Sequence, residues 1–238
     1  MAIIKYTVDD DITALKVALE ATGFFDHFAY DDDETPTALS CYDSDSNLIF
    51  KVEAYVPKQA TTAWVYTAYK AGGASIELNG WAVKNTTGKW GLPADIYIVG
   101  SKSAIFHFKY SISGAAFLAI GKTNTETIGF AMPVSLYNNT GANEVTSLQI
   151  AAWDDDSALT TSLRIADESA PMVGNSVQFV PIPMHGVYGT PEFLENVYYM
   201  PMVQSGMRGL FQEITASDGN VYLTNGYIAA HDDIGITT

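Results

Sequence analysis

The apolar positions along this chain change period as it proceeds, and each change marks out an element. Over residues 9–22 they recur at three- and four-residue spacing (Ile12, Leu15, Ala18, Leu19, Thr22), the period of a helix with one buried stripe. Asp9 or Asp10 can cap its first turn, and Gly23 can close it in the left-handed conformation that glycine adopts readily. Phe24, Phe25 and Phe28 follow at once, which predicts a helix end pinned into a core. The run Asp31-Asp32-Asp33-Glu34-Thr35-Pro36 then reads as a solvated loop.

From Ala38 the period becomes two. Leu39 and Cys41, then Leu48, Phe50, Val52 and Ala54, alternate with polar residues around 43–47, the pattern of a hairpin. Further strands are predicted over 61–69, 76–83, 95–99, 104–110, 115–120 and 126–131, at the spacing of a sandwich or barrel. Residues 135–146 are polar and loop-like; they offer a point of division into 1–137 and 141–238 within what otherwise reads as a single β-rich domain over 1–238. Strands resume at 147–153 and 162–165. Pro181 and Pro183 lack N–H donors and keep 180–191 out of a central strand. Thr190-Pro191-Glu192 has the form of an N-cap with proline at the first helical position, predicting a short helix near 191–198. Two last runs, 209–215 and 221–229, flank Ser217-Asp218-Gly219-Asn220, a hairpin signal because Asp and Gly tolerate the positive φ of a tight turn. The fold class is therefore mainly β: sandwich- or barrel-like antiparallel sheets, one N-terminal amphipathic helix and the short helix near 191–198.

Composition narrows the partners. Twelve basic against 27 acidic residues leave a formal charge of −15, and Arg164 and Arg208 are the only arginines. A phosphate backbone is bound by dense Lys and Arg, so nucleic acid and anionic membranes are excluded as expected partners. Fourteen tyrosines with few charges suit surfaces covered by neighbouring subunits. Cys41 stands alone, which rules out an intrachain disulfide framework. The start has neither a basic n-region nor an apolar h-region, and the longest apolar run, 115–120, is far short of the roughly 20 residues of a membrane-spanning helix. Assembly in a cytoplasm is the resulting expectation.

The motifs that could carry chemistry fail on inspection. Ile120-Gly121-Lys122-Thr123 resembles the end of a phosphate loop, but Ala116 occupies the position of its first glycine and no cofactor is expected there. Asp43-Ser44-Asp45-Ser46-Asn47 opens like a calcium loop, but Leu48 stands at the glycine position and Ala54 at the bidentate glutamate. It reads as a turn. The acidic clusters 9–11, 31–34, 154–156 and 232–233 read first as solvated loops, with weak cation binding as the alternative for each. His27, His107, His185 and His231 show no zinc spacing, and no Gly-x-Ser-x-Gly elbow occurs. Cys41 reads as a core thiol.

The run from Asn220 through Val221, Tyr222, Leu223, Thr224, Asn225, Gly226, Tyr227 and Ile228 to Ala229, closing on Asp232 and Asp233, resembles the end of small virion structural proteins of tailed bacteriophages, with the alternating segments 95–131 similar in texture. The resemblance implies a non-enzymatic structural component of a virion, in the tail or neck or on the head. Such a component would be a homo-oligomer contacting itself and other virion proteins. Its expected contact residues are His185, Tyr188, Phe193, Tyr198, Tyr199, Met200 and Met202 in the 180–208 excursion, with Tyr222 and Tyr227 in the final hairpin. The alternative is a glycan- or receptor-binding β-sandwich, with Trp64, Trp81, Trp90 and Trp153 stacking on sugar rings.

Overall fold

The computed structural model describes residues 3–9, 11–54, 64–69, 75–78, 91–108, 117–123, 128–137, 143–153, 158–164, 180–185, 192–199, 211–215, 219–225 and 228–231, with the backbone alone described at 76, 133–137, 143–153, 158–164, 180, 183–185 and 192. The chain opens with β1 (Ile4–Thr7) and α1 (Ile12–Thr22), then five strands: β2 (His27–Tyr30), β3 (Ala38–Tyr42), β4 (Leu48–Ala54), β5 (Trp64–Tyr69) and β6 (Ser75–Glu77). Six follow: β7 (Asp95–Val99), β8 (Ser103–His107), β9 (Phe117–Lys122), β10 (Ile128–Tyr137), β11 (Asn143–Trp153) and β12 (Ala158–Arg164). The last are β13 (Val180–His185), β14 (Glu192–Tyr199), β15 (Gln212–Thr215), β16 (Val221–Thr224) and β17 (Ile228–Ala230).

These strands form three antiparallel sheets. The first runs β2-β3-β4-β5-β6 and the third β13-β14-β17-β16-β15; the second, of seven strands, runs β1-β7-β8-β9-β10-β11-β12. The seven-stranded sheet is the middle layer. Because side chains alternate across a strand, its even-numbered residues (Ile96, Ile98, Ala104, Phe106, Leu118, Ile120, Phe130, Met132) join α1 and the first sheet in one core. Its odd-numbered residues (Val99, Ile105, Phe117, Ala119, Ala131) join Ile182, Leu194, Val197, Ile228 and Ala230 of the third sheet in another. β8 is buried along its whole length and β9 along all but its last residue, which is why they read as near-continuous apolar runs with little polar alternation.

Phe50 of β4, fully buried, is the hub of the first core. Its ring stacks on Phe25 at 6.1 Å and on Phe130 at 5.7 Å between centroids, and meets Phe106 edge-on at 6.3 Å. Helix exit, first sheet and middle sheet thus share one aromatic contact set, as the Phe24, Phe25 and Phe28 run predicts. The helix itself follows the expected stripe, with Ile12, Leu15, Ala18, Leu19 and Thr22 buried and Gly23 at φ 67°. Its N-cap is Asp11, one or two residues later than the expected Asp9 or Asp10; the Asp11 carboxylate accepts from Thr13 N at 2.8 Å. Asp9 instead occupies a left-handed turn (φ 51°), where it and Val8 donate their N–H groups to Ala94 O.

Two expectations are corrected. Residues 192–199 form strand β14, with no helix: their β-branched and aromatic side chains pair with β13 and β17, and that pairing outweighs the local N-cap signal. The polar stretch 135–146 is not simply loop. β10 extends to Tyr137 and β11 begins at Asn143, the two pairing from Phe130↔Ala151 to Tyr137↔Asn143. Conversely, the proline-bearing segment lies where its missing donors require, at an edge, as β13.

The third sheet touches the middle one directly at β9 and β14. Thr123 bridges to Leu194, and the Ser103 hydroxyl donates to Glu195 O. Gly121, paired with Ser103 across β8–β9, leaves room for that hydroxyl: a Cβ there would lie 2.5 Å from Lys102 O and closer still to Ser103 Oγ. We expect Gly121→Ala to lower stability by about 1–3 kcal/mol through overpacking, and Phe50→Ala by about 3–5 kcal/mol through lost burial and a residual cavity. Urea unfolding followed by circular dichroism checks both; a change below about 0.5 kcal/mol at either site contradicts the packing described.

Candidate functional site

The acidic clusters resolve first, because the backbone explains them. Asp31 accepts from Thr37 N at 2.8 Å, from Ala38 N at 2.7 Å and from the Thr37 hydroxyl. The hydroxyl bond, followed by the backbone bonds, holds its carboxyl down at about 2. Asp32 accepts from Glu34 N and Thr35 N. Asp43 accepts from Asp45 N and Asn47 N, with Asn47 Nδ2 on its second oxygen at 3.0 Å. These carboxylates spend their lone pairs closing hairpin turns. Among the described residues no group of three or more His, Cys, Asp or Glu is placed to hold a metal ion. Cys41 is buried, and burial pushes its thiol well above the ordinary range. The clusters 154–156 and 232–233 lie outside the described residues.

The expected contact residues fall mostly on the third sheet. Phe193, Tyr198 and Tyr199 are half-buried on β14. Tyr199 packs against the apolar cluster between the middle and third sheets. Tyr198 is the next residue along the strand and points to the other face, where its ring meets Tyr222 of β16 edge-on at 6.5 Å. Tyr222 in turn lies 4.9 Å from the His231 ring. Burial, with smaller contributions from Tyr222 and Glu195, pushes the Tyr198 phenol up to about 12. Tyr222 is only 3% exposed and packs within the third sheet. His185 stands opposite Glu192 at the β13 edge. Tyr188, Met200, Met202 and Tyr227 lie outside the described residues. Of the tryptophans in the glycan reading, Trp64 is half-buried against the first core; Trp81 and Trp90 lie outside the described residues, and Trp153 ends β11.

One polar constellation was not legible in the sequence. The registers Thr7↔Asp95, Lys5↔Tyr97 and Asp95↔His107 bring five side chains to one face of the middle sheet, at its β1–β7–β8 end. Lys5 Nζ lies 3.1 Å from Asp95 Oδ1 and the Thr7 hydroxyl donates to the same oxygen at 3.3 Å. His107 Nδ1 lies 3.8 Å from Asp95 Oδ2, too far for a hydrogen bond. The Phe211 ring covers the imidazole and Tyr97, at 5.4 and 5.3 Å. Burial holds the His107 pKa below its ordinary value, against the opposing pull of the Asp95 charge. The arrangement can hold a neutral imidazole beside a carboxylate already engaged by an ammonium. Positions 5, 95 and 107 meet only through strand pairing, so no sequence motif announces them.

No known protein family, curated protein or solved structure matches this chain.

A His whose folded pKa is depressed favours the native state most when it is neutral. The His107 contribution is therefore present above the unfolded value of about 6.5 and lost as pH falls through it. We expect His107→Phe, which keeps the ring contacts with Tyr97 and Phe211, to flatten the decline in stability between about pH 7 and pH 5. Denaturant midpoints of both proteins across that range measure it, and parallel pH profiles contradict it.

Proposed function

We propose that the protein is a non-enzymatic structural component of a bacteriophage virion, working as a homo-oligomer in the tail or neck or on the head. The observation that carries this reading is the three-layer stack. With β8 and β9 at the centre of the middle sheet buried on both faces, sheet edges and rim loops are the natural contact surfaces. Extended complementary surfaces are what a closed symmetric assembly needs. The C-terminal run on which the resemblance rests folds as strand, turn and strand: β15 pairs with β16 through Thr215↔Val221, and β17 returns on β16. Within it, Asn225 Oδ1 accepts from Ile228 N at 3.1 Å and closes the second turn. No helix among the described residues is long and apolar enough to cross a membrane.

Light scattering on the purified full chain, with negative-stain images of the same fractions, tests the reading. We expect a defined homo-oligomer, a ring or other closed assembly. A monomer at every concentration counts against it and makes glycan-array binding the next measurement.

A further inference from the structure

Among the described residues the three sheets end in six edge strands: β1 and β12, β2 and β6, β13 and β15. An open edge is a template for another strand unless something blocks it, and the usual blocks are shortness, proline and charge. Five of the six carry one or more. β6 has three residues and β2 four. β1 has four, with Lys5 among them, and β15 four, with Glu213. β13 has six but holds Pro181 and Pro183. β12 is the exception: seven residues, Ala158-Leu159-Thr160-Thr161-Ser162-Leu163-Arg164, with no proline, no carboxylate and a single charge at its last position.

Its sequence also says what fits. In an antiparallel pair of two copies, all seven residues overlap only when the two-fold axis passes through Thr161. Leu159 then stands opposite Leu163, Thr160 opposite Ser162 and Thr161 opposite itself. Apolar residues meet apolar and hydroxyl-bearing residues meet hydroxyl-bearing ones, pairs that stabilise a sheet when directly opposed. Charge agrees with this. A chain of net −15 resists association with its own copy, and β12 is the long edge from which carboxylates are missing. Within β12 the one charged residue is Arg164, which antiparallel pairing sets opposite Ala158 of the other copy. The two arginines remain about 20 Å apart, six residues of extended chain.

We infer that β12 is the self-association edge, pairing with β12 of a second copy about Thr161 to join two seven-stranded sheets into one continuous sheet of fourteen. This rests on the homo-oligomer reading above and supplies its first contact.

Two variants test it. Thr161→Lys sets two like charges on the axis. We expect its native mass by light scattering to fall by at least a factor of two relative to the wild type, with an unchanged far-ultraviolet spectrum. Thr161→Cys sets two thiols opposite each other, with Cβ atoms about 4.5–5.5 Å apart, near the reach of a disulfide. Mild oxidation should give a covalent dimer on a non-reducing gel that the wild type lacks, because Cys41 is buried. The disulfide decides should the lysine variant fail to fold. A wild-type oligomer that keeps its mass in Thr161→Lys, with no covalent dimer from Thr161→Cys, overturns this contact and leaves the assembly reading standing. A wild type that is monomeric at every concentration overturns both.

Discussion

Strands β8 and β9 of the middle sheet must hide two faces at once, and the described layers on either side are arranged to satisfy that requirement. A sheet flanked on one side only can turn its alternate residues to water, but β8 and β9 have no such side. Helix α1 and the first sheet cover one face and the third sheet covers the other. Phe50 shows how tightly the first closure is made: one ring from β4 is packed between Phe25, beyond the helix end, and Phe106 and Phe130 of the middle sheet. The second closure is made by backbone as much as by side chain, where Thr123 bridges to Leu194 and Ser103 reaches Glu195 O.

Polar groups are displaced to the ends of strands, and there they shape the chain. Asp11 caps the helix, Asp31 and Asp32 close the turn after β2, and Asp43 closes the turn after β3. Four of the 27 acidic residues thus act as hydrogen-bond acceptors for N–H groups that strand and helix ends leave over. The exposed ion pairs Lys16–Glu20 and Lys51–Glu53 add little to this. Lys5, Asp95 and His107 differ because the last two are largely enclosed, with the Phe211 ring against the imidazole.

On the proposed reading, contact between copies belongs to the strand edges, and those edges differ in how they are guarded. Prolines at β13, charges at β1 and β15 and brevity at β2 and β6 all discourage pairing. A chain that guards five edges and leaves the longest one open restricts the geometries in which it can assemble, since one unguarded antiparallel edge closes as a pair and does not propagate.

The sequence by itself determined the local elements. The helix over 12–22 with its Gly23 stop, the 38–54 hairpin around Asp43, the buried Cys41 and the turn at Gly219 were all legible, because periodicity and turn chemistry act over a few residues. Tertiary structure decided everything that depends on which strand lies beside which. It turned 192–199 from an expected helix into β14, because two neighbouring strands offered its backbone more than one N-cap could. It extended β10 to Tyr137 and began β11 at Asn143, buried Tyr222, and brought Lys5 together with Asp95 and His107 from far along the chain. It also set two sheets on a third, an arrangement that alternation within any one strand cannot specify, since the pattern records that a side is buried and not what buries it.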